Sequence, residues 1–425
     1  MSHHIQDISG ESHVTTLSEG LDRALRFTEL GERSSLNDKD GSKSPEDGAT
    51  KVLKRALSTK SVVSTSSSFA QRMQNASKRS APGDSIPFRT IGLGSCGSVF
   101  EIPGTEFAYK KGSNESAIWN DYCLTNKVHN AVTDIKTSLQ AVFPEAAIPR
   151  TPLCRQFHPI DDEEFWTQNL HRFPATHRNR QPTFRVGRIL PLPQSVREAL
   201  IEEYFDSEEG IQQEARDDQE NKDCLVRVYM GERETAAELT NVYDSLRNFP
   251  LKLNMMEDLG MEIEDLASEM AIGLAILQWQ AQVDGMDVEF VLGSSVTMDS
   301  EEPRGYDDDS ASPHRTVDIN FKRRTTHLWM FDFDKATKIN LTSHDVTKKL
   351  VPAFLGNDPY YPRPQIDLDL WEDFCEVYLE ASDVILQGKG ADQQVRNLPQ
   401  EFLDEVLRVS KEHEDWNEED NVTFG

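Results

Sequence analysis

Ile91-Gly92-Leu93-Gly94-Ser95-Cys96-Gly97-Ser98-Val99-Phe100, followed by Phe107-Ala108-Tyr109-Lys110, sets the reading of everything around it. The pattern is G-x-G-x-x-G-x-V, with A-x-K on the next apolar run. Glycines let backbone approach a ligand closely and leave N–H groups free to cradle phosphate. In dinucleotide-binding folds such glycines open a helix. Here Val99-Phe100-Glu101-Ile102 leads into Pro103-Gly104, a strand and then a turn. Residues two apart on a strand share a face, so Ala108 and Lys110 look the same way and Lys111 looks away. A small alanine beside the lysine leaves room for a flat base above phosphates. Gly92, Gly94, Gly97, Val99, Ala108 and Lys110 are therefore candidate nucleotide-binding residues. On this stretch alone, a glycine-rich hairpin without a ligand fits equally well.

Three further segments extend the pattern. Ile263, Leu266, Met270, Leu274 and Leu277 recur at helical spacing, and Met270–Leu277 is apolar nearly all round, which predicts a buried helix. Directly after it comes Val283-Asp284-Gly285-Met286-Asp287-Val288-Glu289-Phe290-Val291-Leu292, an acidic loop leading into a strand. A second strand, Leu328-Trp329-Met330-Phe331, delivers Asp332-Phe333-Asp334. Phosphoryl transfer is mostly positioning and charge neutralisation. It needs a cation on the phosphates (Lys110), oxygen ligands for Mg²⁺ (Asp332, with Glu289), and a carboxylate facing the acceptor hydroxyl (Asp284).

In order and local context these elements resemble the protein-kinase-like superfamily, across residues 86–410. The aminoglycoside and choline phosphotransferase branch is nearer, because D-F-D endings look at home there and no A-P-E follows. The resemblance implies an α+β, two-lobed protein-kinase-like fold: an antiparallel-sheet N-lobe over 86–190 and a mainly helical C-lobe over 191–411. It implies ATP and Mg as cofactors, with a small-molecule or protein acceptor of unknown identity. The alternative is a catalytically inactive kinase-fold protein acting as an interaction module. The lobe hinge is expected at Ile189-Leu190-Pro191-Leu192, whose backbone would meet the adenine, ahead of a capping box at Ser195–Glu198. A second possible hinge is Leu253–Leu259.

Departures accompany the matches. Gln282 stands where kinases have histidine, and Glu289 stands where they have asparagine. The helix read over 115–131 carries no glutamate at a suitable place to pair with Lys110; Asp121 is the nearest acid inside it. The span between Asp284 and Asp332 is longer than in kinases, the extra length being an inserted loop, 293–325, that ends in Lys322-Arg323-Arg324. That basic end, beside the D-F-D strand, could hold a phosphorylated ligand; a solvated flank is the preferred reading.

The whole chain is also similar to a fungal family of unknown function described as a "zinc finger protein" domain. The similarity lies in Gly94–Gly97, Glu101–Glu106, Asp287–Gly293 and Leu355–Pro362. The eleven histidines and five cysteines show no ligand cluster at finger spacing, so no zinc is expected.

Composition bounds the rest. A net charge of −28 argues against a nucleic-acid binder. Mean hydropathy is −0.58, with 37% hydrophobic residues, so part of the chain is expected to pack no core. No apolar run is long enough to cross a membrane, and no secretory signal opens the chain. Widely spaced cysteines in odd number point to reduced thiols and an intracellular, cytoplasmic protein. Residues 1–85 read as a disordered serine-rich tail with one possible helix on Leu17, Leu21, Leu25 and Thr28. Residues 412–425 read as a frayed acidic end. Tyr360-Tyr361, among prolines, reads as a rigid packing segment.

Overall fold

Antiparallel pairing of the glycine-loop strands builds the first of two sheets. In the computed structural model β2 (Arg89–Leu93) pairs β3 (Ser98–Glu101), which pairs β4 (Phe107–Lys111). β6 (Thr183–Gly187) follows and β5 (Cys154–His158) closes the edge, giving the order β2-β3-β4-β6-β5. The structure describes residues 48–59, 62–64, 68–79, 86–235, 243–296, 321–357 and 359–423. The candidate helix at Leu17–Thr28 and most of the insert lie outside them. All described residues belong to one unit, Gly48–Gly425.

The second sheet runs β1-β10-β9-β7-β8. Its strands are β1 (Val62–Ser64), β7 (Val226–Tyr229), β8 (Phe249–Lys252), β9 (Glu289–Val296) and β10 (Arg323–Phe331). The β7–β8 pair is parallel and the other ladders are antiparallel. The fold is thus mixed α/β. Both ends of the segment read as an insert are strand: β9 reaches Val296 and β10 begins at Arg323.

Two helices lie where the sequence reads as tail. In α1 (Gly48–Leu57), Ala49, Leu53, Ala56 and Leu57 fall on one face and are all buried in the main core. In α2 (Ser68–Arg79), Phe69, Ala70 and Met73 pack on Leu190 and Phe321. Residues 48–57 and 68–79 are therefore part of the fold. Their lysines, arginines and serines mask a narrow apolar stripe that average composition does not register.

α3 (Glu115–Val142) is capped by Asn114, whose side chain accepts from Ala117 N, and runs eleven residues beyond the 115–131 reading. The helix after β6, α5 (Gln194–Tyr204), starts behind Pro193 with no side-chain cap. Leu253–Asp258 is helical, which excludes it as a hinge. The apolar helix α8 (Ile263–Ala275) continues as a π-turn through Gln280, and every residue from Leu266 to Trp279 except Ser268 is buried. Its Gly273 is needed for close approach: a Cβ there would lie 2.9 Å from Pro149 and 3.1 Å from Met330 sulfur. Behind it packs the helix Leu368–Gly388, where the buried Tyr378 hydroxyl accepts from Trp279 Nε1 and donates to Gln278 Oε1. The last helix, Leu398–Thr423, continues through the acidic end. Tyr360 and Tyr361 are core residues, Tyr361 stacking on Phe354. All five cysteines are free thiols, and among the described residues no helix is long and apolar enough to cross a membrane.

A buried ion network ties the first sheet to α2 and to the turn that precedes β7. Glu101 on β3, 2% exposed, takes Arg72 from α2, Arg89 from β2 and Arg188 from the segment after β6. Arg89 and Arg188 both continue to Asp223. Burial alone would push the Glu101 carboxyl up; Arg188, Arg89 and Arg72 outweigh it and hold it down at about 2.

Candidate functional site: the Lys110 triad beneath the glycine loop

The strand register sets the site. Val99 lies opposite Lys110, and Gly92 lies opposite Val99, so valine and lysine share one face beside the glycine loop. Gly94 N donates to Gly97 O, closing the loop into a tight turn. A Cβ at Gly97 would come 2.6 Å from Lys111 O, so only glycine fits that crossing. Ala108 is buried between Glu101 and Val186 in register. Lys111, on the opposite face, donates to His177 O and Asn179 O at 2.5 and 2.6 Å.

Lys110 Nζ lies 2.6 Å from Asp121 on α3 and 2.6 Å from Asp332. Burial would lower the ammonium's pKa; the two carboxylates overcome it and raise it, so Lys110 is a fixed cation. Asp121 also accepts from Phe333 N and from Thr125 Oγ1. One helix residue thus holds both the lysine and the D-F-D turn. Asp121 is the acid that sequence reading found nearest but assigned no role. The signal was present: Ile118, Asp121, Thr125 and Val128 form one stripe, all buried, and a lone acid on an apolar stripe requires a cation. Asn120 adds a clamp no motif predicts, donating to Phe333 O, Asp334 O and Ala336 O.

Asp332 has φ +67°, a left-handed conformation that is strained for a non-glycine residue. Burial, with Asp121 and Asp334 nearby, pushes its carboxyl up against the pull of Lys110. The glycine loop comes near this turn at Cys96. Burial raises the pKa of the Cys96 thiol, and the nearby Asp334 adds to the rise.

Asp284 is brought to the same region, locked to the backbone beyond D-F-D. Its Oδ1 accepts from Thr337 N and Met286 N, its Oδ2 accepts from Thr337 Oγ1 at 2.6 Å, and it is 7% exposed. Both carboxylate oxygens are used within the chain. Glu289, at the start of β9, is ion-paired with Arg227 of β7.

The hinge segment departs most from its expected role. Leu190 N donates to Ser294 O, and Ser294 N donates to Leu190 O, so this backbone is bridged to β9. Its side chain is buried under Phe69 and Met73. Ile189 packs on Gly293, where a Cβ would lie 2.3 Å from its Cγ2. The Leu190 backbone is thus not open to a base in this structure. Arg324, read as a solvated flank, is 1% exposed; it donates to Pro191 O and lies 5.2 Å from the Phe69 ring centre. Burial lowers its pKa to about 10, and Arg197 and Arg188 add to the effect.

Comparison with known proteins bears on the C-terminal side of this site. Residues 328–390, which include D-F-D and the Tyr360-Tyr361 segment, match the model of a family described as "Zinc finger protein". Three of the four stretches that suggested this family lie outside the match. No curated protein and no solved structure matches the chain. The family description names zinc; among the described residues no group of three or more His, Cys, Asp or Glu side chains is gathered to hold a metal ion.

Proposed function

We propose that this chain is a kinase-like protein that binds ATP with Mg²⁺ beneath the glycine loop. The observation that carries the reading is the Lys110–Asp121–Asp332 triad near the Gly94–Gly97 loop. A fixed ammonium supplies charge for phosphate, and glycine-loop N–H groups can add to it. Asp332 is an oxygen ligand suited to Mg²⁺, which takes one or two carboxylates plus substrate phosphates in such sites. That donor set fits a phosphate-bound cation and does not fit a structural zinc. Bound Mg²⁺ would neutralise phosphate charge.

We favour binding without rapid transfer, because the acceptor-side carboxylate is occupied. Asp284 accepts three hydrogen bonds from its own chain, and Glu289 is committed to Arg227. An acid in that state is poorly placed to take a hydroxyl proton. ATP binding and phosphate release, measured side by side on the full chain, separate the two readings. The expected result is ATP binding with phosphate release at background, unchanged in Asp284→Ala. Release well above background that Asp284→Ala abolishes would make the protein a phosphotransferase instead.

A further inference from the structure

Asp334, the second acid of D-F-D, is unexplained by the triad. It is 8% exposed, and its Oδ1 is buried without a hydrogen-bond partner. Its backbone is fixed by the Asn120 clamp, so the side chain does not leave by rotation of the turn. Around it lie Asp332, the Cys96 thiol and Lys335, each of which feels its charge. Lys335 does not neutralise it, because its ammonium pairs with Asp287 at 2.7 Å. Lys110 is shared between Asp121 and Asp332. A buried carboxylate oxygen with no donor is costly unless a cation completes it.

We propose that Asp334, and not Glu289, is the second carboxylate ligand of the divalent cation held by Asp332. This rests on the Mg–nucleotide reading above and names its metal site. Two carboxylates two residues apart flank the turn that Asn120 and Asp121 hold rigid. The nucleotide phosphates would complete the oxygen shell of an ion that prefers hard oxygen donors. Glu289, satisfied by Arg227, has no such need.

The test is calorimetric titration of ATP into the full chain across a series of Mg²⁺ concentrations. Asp334→Asn is expected to weaken Mg²⁺-supported ATP binding roughly 10–100-fold. Glu289→Gln is expected to leave it within about twofold of wild type. In metal-free protein, Asp334→Asn should not lower the thermal midpoint, because the Oδ1 it replaces has no hydrogen-bond partner to lose. Wild-type binding in Asp334→Asn, or an equal loss in Glu289→Gln, would overturn the assignment while leaving the nucleotide site standing. A metal-free midpoint that falls in Asp334→Asn would also overturn it, by showing a structural carboxylate. Absence of ATP binding by wild type at any Mg²⁺ concentration would overturn the nucleotide reading itself.

Discussion

Lys110→Met is expected to lower the unfolding free energy by about 3–5 kcal/mol, the cost of leaving buried carboxylates without their cation. Lys110 is the partner within 2.6 Å of both Asp121 and Asp332, and Asp121 is nearly fully buried. Removing the ammonium leaves two acids facing each other in a low-dielectric site, which disfavours both charges. Two signatures separate this from simple loss of packing. Adding Asp121→Asn should recover part of the stability, since the second change removes the repulsion created by the first. Lowering the pH should help the variant: a carboxyl raised above its ordinary value costs stability only where it is ionised, and Asp332 is already raised in the wild type. Urea denaturation across pH, on the single and double variants, checks both. A loss under about 0.5 kcal/mol would show that the ammonium is not the counter-ion of these acids.

The second large effect is at Glu101. Its carboxyl is held at about 2 against an ordinary value of 4.5, and it is nearly fully buried. A carboxyl depressed on folding contributes stability that is complete above its unfolded value and is lost as pH falls through the folded one. The window is therefore from pH about 4.5 down to about 2, and the size is roughly 3 kcal/mol. Glu101→Gln should remove that contribution and strand Arg72, Arg89 and Arg188 with only Asp223 nearby. At neutral pH the expected loss is about 3–5 kcal/mol. Below pH 4.5 the wild-type and variant curves should converge. Curves that stay parallel down to pH 3 would show that Glu101 does not carry this acid sensitivity.

The glycine loop and its lysine were legible because strand geometry is local. Alternation alone places Ala108 and Lys110 on one face, and the ladder then sets Val99 opposite Lys110. The buried helix before Asp284 was legible for the same reason: apolar residues all round leave no solvent face. Asp121 was not assigned, because a family pattern asks for glutamate in one place, whereas charge requires only an acid within reach. The shorter side chain works here because α3 carries Asp121 to Lys110 and to Phe333 N together. The helices at 48–57 and 68–79 were missed because their burial depends on a partner surface far along the chain, which composition does not encode. The same non-locality hid the fate of the hinge. Nothing in Ile189–Leu192 announces that Ser294 will take both backbone groups of Leu190, or that Arg324 will lie buried on Pro191.

Taken together, these contacts describe a loop, a cation and a rigid acidic turn brought together by long-range packing. The most direct test of a Mg–nucleotide site there is the thermal midpoint of the full chain with ATP, with and without Mg²⁺, in wild type and Asp332→Asn. The predicted result is a rise in midpoint that requires both ATP and Mg²⁺ and disappears in Asp332→Asn. No shift in the wild type at saturating ATP and Mg²⁺, or the same shift in Asp332→Asn, would contradict it.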